Sequence, residues 1–138
     1  VLPLTRSIFG EMPEGYWHIY AYDAKWKDGN NPYEKIKTEC PPRIPKKLAS
    51  LITEISIDAY NITDCHDYAR IEVRVDKDGN PFVLECNPNA SICDEDSLPD
   101  AAVMTGMTYE DFIDEIVHLT IQRYKNASPY YHKQITAF

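Results

Sequence analysis

Two strands joined by a turn are predicted by residues 69–87, which have the sequence ARIEVRVDKDGNPFVLECN. Residues 69–76 alternate strictly between apolar and polar side chains, and this alternation is typical of a strand with one buried face. Residues 81–87 (PFVLECN) predict a second short strand, and the polar residues 77–80 (KDGN) between them predict a turn. The segment is therefore predicted to be a β-hairpin.

The apolar residues of the hairpin predict its register. If the turn leaves residues 77–80 unpaired, Asp76 faces Pro81 and the ladder continues from there without interruption. The apolar facing pairs are then Ile71 with Cys86, Val73 with Leu84, and Val75 with Phe82. All these pairs share one face, and a slip of one residue would move them to the opposite face. We therefore predict this register along the whole hairpin.

The same register places charged side chains on the other face. Glu72 then faces Glu85, and Arg70 faces Asn87. Two facing carboxylates repel each other, so the pair is better explained by a cation between them. Carboxylate and amide oxygens suit Mg²⁺ better than Zn²⁺, and an arginine beside them suits an anionic ligand such as a phosphate. The alternative is a solvated polar face with local ion pairs, and the hairpin alone leaves both interpretations open.

The N-terminal part of the sequence predicts two strands, a long loop and a helix. Residues 1–9 and residues 16–22 are rich in aromatic and β-branched side chains, which favour strands. For the polar residues 23–43 we expect a long loop, of a length that is uncommon unless the loop is functional. Pro45 suits the first position of a helix, which is predicted to run to about residue 62. Its apolar residues recur at helical spacing: Leu48, Leu51, Ile52, Ile55 and Ala59.

Two more helices are predicted after the hairpin. Residues 99–105 predict a short helix that Gly106 ends. Thr108 followed by Asp111 is typical of the N-terminal cap of a last helix, and no regular structure is predicted for residues 126–138. The predicted fold class is α+β, with an antiparallel sheet packed against helices.

The amino-acid composition limits the classes of protein to which this chain can belong. The chain has 138 residues and a net charge of −8, with 43% hydrophobic and 26% charged residues, which is typical of one globular domain. The acidic charge argues against nucleic acid and anionic membranes as partners, and no membrane-spanning helix is predicted. The four cysteines form no C-x-x-C pair, and with no secretory leader expected we predict reduced thiols and a cytoplasmic protein. The first residues resemble a strand already under way, so we also expect a fragment of a longer protein.

A family resemblance emerges from several motifs in the same order and spacing. The hairpin and its continuation, ARIEVRVDKDGNPFVLECNPNASI, are followed by DSLPDAAVMTGMTYEDFIDEIVHL. Together they resemble the C-terminal part of ATP-grasp ligases, and most of all the D-alanine–D-alanine ligase family. Upstream, HIYAYDAKW resembles the aromatic strand and lysine loop of that family, and the Cys-Pro at residues 40–41 resembles the one before its helix. The likeness implies that residues 1–125 are the C-terminal lobe of an ATP-grasp fold and that residues 126–138 are an irregular tail.

The resemblance implies roles for the hairpin residues. In ligases of this kind an acidic residue in one strand and a Glu-x-Asn in the next hold the magnesium ions that bridge the ATP phosphates. These positions are Glu72, Glu85 and Asn87 in this sequence, with Mn²⁺ as an alternative metal and Glu85 also contributing to the nucleotide site. Arg70 matches the family's catalytic arginine, which contacts ATP and stabilises the transferring phosphoryl group.

Two further residues are carried over from the resemblance. Lys25 corresponds to the loop lysine that covers the ATP phosphates, and Ser97 corresponds, after a shift of one residue, to a serine that binds the substrate carboxylate. The sequence also departs from the family pattern. Glu72 stands where an Asp is usual, and residues 88–91 (PNAS) replace a Pro-Gly whose glycine N–H serves the oxyanion site. The second departure bears on the D-alanine substrate more than on the ATP chemistry.

The implied function is that of the C-terminal catalytic lobe of an ATP- and Mg²⁺-dependent carboxylate–amine ligase that forms an acyl phosphate. Its implied partners are ATP, a small carboxylate and amine substrate, and a missing N-terminal part of the same chain. A homodimer is a further possibility that the resemblance leaves open. The isolated residues are expected to be inactive. The alternatives are an ATP-grasp ligase for another amino acid or short peptide, and a non-catalytic module that binds a nucleotide or a metal.

Overall fold

The computed structural model describes residues 1–10, 12, 14–19 and 36–126 of the chain. Within them, the chain forms two antiparallel two-stranded sheets and three helices. In chain order the elements are β1 (Arg6–Ile8), β2 (Lys37–Glu39), α1 (Lys46–Ile62), β3 (Arg70–Val75), β4 (Pro81–Asn87), α2 (Ser97–Val103) and α3 (Tyr109–Asn126). Helix α1 packs against β3 and β4, and α2 packs against α3. The predicted α+β class is confirmed.

The turn of the β3–β4 hairpin is longer than predicted because Asp76 leaves the ladder. Its Oδ1 accepts the backbone N–H of Asn80 at 2.8 Å, and its Oδ2 accepts the side-chain amide of Asn80 at 3.0 Å. These bonds close a turn from Asp76 to Asn80. Val75 consequently pairs with Pro81. The predicted facing of Val75 with Phe82 and of Asp76 with Pro81 is wrong.

A β-bulge then returns the ladder to the predicted register. Val73 pairs with Val83 instead of the predicted Leu84, and the register shifts between Glu72 and Val73. Leu84 is the extra residue of the bulge, and it is 63% exposed. On the far side of the bulge three predicted pairs are confirmed: Arg70 with Asn87, Ile71 with Cys86, and Glu72 with Glu85.

The predicted helices are all present. Pro45 is the N-cap of α1 and not its predicted first residue, which is Lys46, and the helix ends at Ile62 as predicted. Helix α2 begins at Ser97, two positions before the predicted start at Pro99. The predicted start lies too far towards the C-terminus because proline is tolerated throughout the first turn of a helix, where backbone N–H groups have no partner within the helix.

Helix α3 has the predicted N-terminal cap. The backbone N–H of Asp111 donates to Thr108 Oγ1 at 3.1 Å, and the backbone N–H of Thr108 donates to Asp111 Oδ2 at 3.0 Å. This reciprocal pair is a capping box. Gly106, between α2 and α3, has a φ of +94°, a conformation that favours glycine. The helix ends at Asn126, and the predicted irregular tail otherwise lies outside the described residues.

The N-terminal predictions need correction. The predicted strand over residues 1–9 is shortened to β1, and its partner β2 lies inside the predicted loop of residues 23–43. Residues 16–19 form no strand, and the rest of that predicted strand lies outside the described residues. Strand β2 has the polar sequence KTE, so its formation depends on pairing with β1 and not on an apolar pattern.

The most buried side chains lie around α2 and α3. They are Ala90, Pro99, Ala101, Ala102 and Phe112. Helix α1, by contrast, has no fully buried residue. The four cysteines are free thiols, and among the described helices none is long and apolar enough to cross a membrane.

Candidate active site

Four polar side chains lie together on one face of the β3–β4 hairpin. Arg70 and Glu72 are two positions apart in β3, so they project from the same face. Their partners across the ladder, Asn87 and Glu85, share that face because directly paired residues project to the same side. The structure thus brings together the four hairpin residues that the sequence predicted. The bulge lies directly beside the acidic pair. Bulges are common next to active sites.

An ion pair joins two of the four side chains. Arg70 Nη2 donates to Glu72 Oε1 at 2.7 Å, and each side chain is 33% exposed. This contact holds the guanidinium close to the acidic pair and leaves the second oxygen of Glu72 without a described partner. Glu85 is exposed, and its carboxylate has no ion-pair or hydrogen-bond partner among the described residues. The face therefore presents carboxylate oxygens and a fixed cation to solvent.

The amide of Asn87 completes the predicted set of oxygen donors. Its Oδ1 accepts the backbone N–H of Asn89 at 3.0 Å, and an amide oxygen has a second lone pair. Because every donor of the set is an oxygen, Glu72, Glu85 and Asn87 are chemically suited to Mg²⁺. The arrangement can hold a hard cation with an anion beside Arg70.

The two other predicted site residues are not joined to this face. Lys25 lies outside the described residues. Ser97 is the half-buried first residue of α2, and in the described part of the chain it makes no hydrogen bond with the hairpin. The roles of both residues remain predictions.

The loop after β4 is held on two sides by tyrosines. Tyr68 Oη donates to Asn89 Oδ1 at 3.4 Å and to the Ala90 carbonyl at 3.3 Å. Tyr109 Oη donates to the Ile92 carbonyl at 3.0 Å. These bonds fix the segment of residues 89–92.

The end of the same loop is fixed by a serine and an aspartate. The Ser91 hydroxyl donates to the Asp96 carboxylate, and Asp96 is the N-cap residue of α2. The loop therefore leads directly into the helix that begins with Ser97.

A cluster of three side chains was missed by the sequence analysis. In the Asp67 cluster (Asp67, Thr120 and Arg123), Arg123 donates through Nε to Asp67 Oδ1 at 2.9 Å and through Nη2 to Oδ2 at 2.7 Å. Thr120 Oγ1 donates to the same Oδ2 at 3.0 Å. The hydrogen bonds from Arg123, more than those from Thr120, hold the pKa of Asp67 below its usual value despite the burial of the carboxyl. The cluster joins α3 to the turn before β3.

The Asp67 cluster predicts a pH dependence of stability. Because the pKa of Asp67 is lower in the folded protein than in the unfolded chain, its stabilising effect is full above the unfolded pKa. The effect is lost as the pH falls through the folded pKa. In urea unfolding, Asp67→Asn should be less stable than the wild type at pH 7, and the difference should shrink as the pH falls below about 4.

Asp58→Asn is the matched control for this prediction, because Asp58 is exposed on α1 and has no ion-pair partner among the described residues. Its unfolding free energy should stay close to that of the wild type over the same pH range. A gap between Asp67→Asn and the wild type that is constant with pH would contradict the prediction.

The fold and the polar face of the hairpin are those of a known family of proteins. The hairpin packed on a helix, with an arginine, two carboxylates and an asparagine on its open face, defines an α+β domain of the kind that forms the C-terminal lobe of ATP-grasp proteins. Residues 7–118 match the family model described as D-ala D-ala ligase C-terminus. The chain belongs to this family, and the resemblance predicted from its motifs is confirmed.

Individual relatives agree with the family match. The chain is 33% identical over 124 residues to an uncharacterised protein of Sinorhizobium fredii, covering 90% of this chain and 35% of the relative. It is 33% identical over 104 residues to a D-alanine–D-alanine ligase of Pelotomaculum thermopropionicum, covering 75% and 31%.

A solved structure shares the fold. The crystal structure of a D-alanine–D-alanine ligase from Bacillus anthracis complexed with ATP superposes with a TM-score of 0.64 at 26% identity, over 69% of this chain and 33% of that chain. The chain spans about a third of the length of these relatives.

Proposed function

We propose that this chain is the C-terminal catalytic lobe of an ATP- and Mg²⁺-dependent carboxylate–amine ligase that acts through an acyl phosphate. The observation that carries the proposal is the facing pair of Glu72 and Glu85, with Arg70 and Asn87 beside it, in a domain of this family. The solved Bacillus anthracis ligase is complexed with ATP, which supports a nucleotide as the ligand here.

The donor set favours Mg²⁺ that is shared with the nucleotide, with Mn²⁺ as an alternative. Among the described residues no group of three or more His, Cys, Asp or Glu side chains is placed to hold a metal ion. Two carboxylates and one amide oxygen leave coordination positions for other ligands, and Mg²⁺ commonly fills them with water and substrate phosphates. When bound, the metal neutralises charge on the ATP phosphates.

Arg70 is proposed to orient the transferring phosphoryl group. Phosphoryl transfer spreads negative charge over the phosphate oxygens, so a cation held in advance stabilises the transition state. The contact with Glu72 at 2.7 Å holds the guanidinium in place before the nucleotide binds. Lys25 is proposed to cover the phosphates and exclude water, and Ser97 to bind the substrate carboxylate.

The proposed reaction has two steps. A carboxylate oxygen of the first substrate attacks the γ-phosphorus of ATP, which forms an acyl phosphate and releases ADP. The amine of the second substrate then attacks the acyl carbon, which forms the new C–N bond and releases phosphate. The remainder of a longer protein would supply the other side of the nucleotide site. We propose that this longer protein is cytoplasmic and that it forms a homodimer.

A specific observation favours a second candidate within the ligases. The loop that follows β4 has the sequence PNAS at residues 88–91 and lacks glycine. A substrate other than D-alanine, such as another amino acid or a short peptide, would fit this difference.

The proposal is tested with the full-length protein. ADP formation is measured with Mg²⁺–ATP and a panel of amino acids and dipeptides, and we expect it to need Mg²⁺, a carboxylate and an amine together. The isolated 138 residues should show little or no turnover. Mg²⁺-dependent ATP binding by the full-length protein without ADP formation on any substrate pair would instead support the non-catalytic module.

A further inference from the structure

We infer that Arg123 is a positioning residue, which acts through Asp67 to hold the start of β3 and thereby Arg70 and Glu72. The inference rests on the proposed function of those two residues. The Asp67 cluster lies outside the polar face itself, so Arg123 would act without touching nucleotide or metal.

The geometry of the ion pair is that of a fixed contact. Nε and Nη2 of Arg123 each donate to a different carboxylate oxygen of Asp67, at 2.9 and 2.7 Å. Such a two-bond contact fixes orientation as well as distance. Asp67 is 14% exposed, and the Thr120 hydroxyl lies 3.0 Å from Asp67 Oδ2 and 3.0 Å from the Ile116 carbonyl, so its one proton is shared between them. Arg123 also lies 4.7 Å from the centre of the Tyr124 ring, which further limits its side chain.

The position of Asp67 connects this contact to the site. Asp67 lies in the short connection between α1 and β3, and β3 begins at Arg70. The neighbouring Tyr68 binds Asn89 and the Ala90 carbonyl just after β4. Two consecutive residues therefore fasten the open end of the hairpin, Asp67 to α3 and Tyr68 to the loop after β4. The polar face lies at this end.

The backbone at Asp67 supports a positioning role. Asp67 has a φ of +62°, a left-handed conformation that aspartate adopts more readily than most residues but that favours glycine. Contacts around such a residue must hold it in place, and residues of this kind are frequent near functional sites. The bonds from Arg123 and Thr120 connect its side chain to α3.

The experiment compares Arg123→Gln, Arg123→Lys and Thr120→Val in the full-length protein, well below the unfolding temperature. A displaced catalytic group typically lowers the rate, so we expect kcat for ADP formation to fall roughly 10- to 100-fold in Arg123→Gln. The Mg²⁺ concentration for half-maximal rate should rise. Arg123→Lys keeps the charge without the two-bond contact and should be intermediate, and Thr120→Val should show a smaller effect.

A matched control and a second readout separate positioning from general stability. Arg43→Gln removes another arginine that pairs with a carboxylate, Glu39 at 3.7 Å, but Arg43 is 95% exposed and distant in the chain from β3. It should leave kcat unchanged. Hydrogen exchange should become faster at the amides of residues 70–72 in Arg123→Gln and stay unchanged in Arg43→Gln.

The outcomes are distinguishable. A lower unfolding temperature with unchanged kcat, unchanged Mg²⁺ requirement and unchanged exchange in β3 would overturn the positioning role. If Arg123→Gln does not fold, the inference is tested with Thr120→Val. A wild-type rate of ADP formation and wild-type hydrogen exchange in Thr120→Val would overturn the positioning role. Wild-type activity in a Glu85→Gln variant would instead overturn the proposed function, while the exchange of β3 would still test the effect of Arg123.

Discussion

Replacing Glu85 by glutamine is expected to remove most of the Mg²⁺-dependent ATP turnover that we propose for the full-length protein, with kcat lowered roughly 1,000-fold. Glutamine keeps the size of the side chain and one amide oxygen, so the hairpin should still fold. It removes the negative charge from one half of the pair Glu72–Glu85, whose two members face each other directly across the ladder. The measurement is steady-state ADP formation over a range of Mg²⁺ concentrations.

The control for this prediction is Glu54→Gln. Glu54 is exposed on α1 and makes no ion pair with another described residue, so its variant should turn over ATP at the wild-type rate. Glu72→Gln should resemble Glu85→Gln, and the double variant should be little worse than either, because the two carboxylates are proposed to act on one ion. Full turnover in Glu85→Gln would mean that the charged face of the hairpin is only solvated.

The acidic pair could be predicted because it lies where local pattern determines structure. The alternation of residues 69–76 fixes which side chains share a face, and the predicted apolar pair beside the site, Ile71 with Cys86, is present in the structure. The same reasoning failed nearer the turn. Hydrogen bonds of the Asp76 carboxylate lengthen the turn by one residue, and the bulge at Leu84 compensates. The two deviations cancel before the site, so the predicted pairing there is nevertheless right.

The Asp67 cluster could not be predicted in this way. Its members are far apart in the sequence, and nothing in the local pattern around Asp67 or Arg123 indicates that they meet. The left-handed backbone of Asp67 gives a weak signal at most, because aspartate tolerates this conformation better than most residues but does not require it. Strand β2 escaped prediction for a related reason, since its short polar sequence forms a strand only by pairing with β1.

Replacing Arg70 is expected to have the second large effect, and the choice of substitute shows what the arginine does. Arg70→Ala should lower kcat roughly 1,000- to 10,000-fold, within the range found for arginines that stabilise phosphoryl transfer. Arg70→Lys should recover part of this loss, because lysine supplies a point charge but cannot contact two oxygens at once. The KM for ATP should change much less than kcat if the contact with Arg70 is stronger in the transition state than in bound ATP, as the proposed role requires. Both constants are measured by steady-state ADP formation.

Arg74 offers a control in the same strand. It lies on the far side of the bulge from Arg70, and its Nη1 donates to the His18 carbonyl at 2.6 Å, so it has a structural partner of its own. Arg74→Lys should keep a rate close to the wild type. A similar loss in Arg70→Lys and Arg74→Lys would show that the hairpin contributes only a general positive charge. A loss of kcat confined to the Arg70 variants would mean that a specific contact of Arg70 is needed. Both lysine variants preserve the net charge of the strand, so charge alone could not explain such a difference.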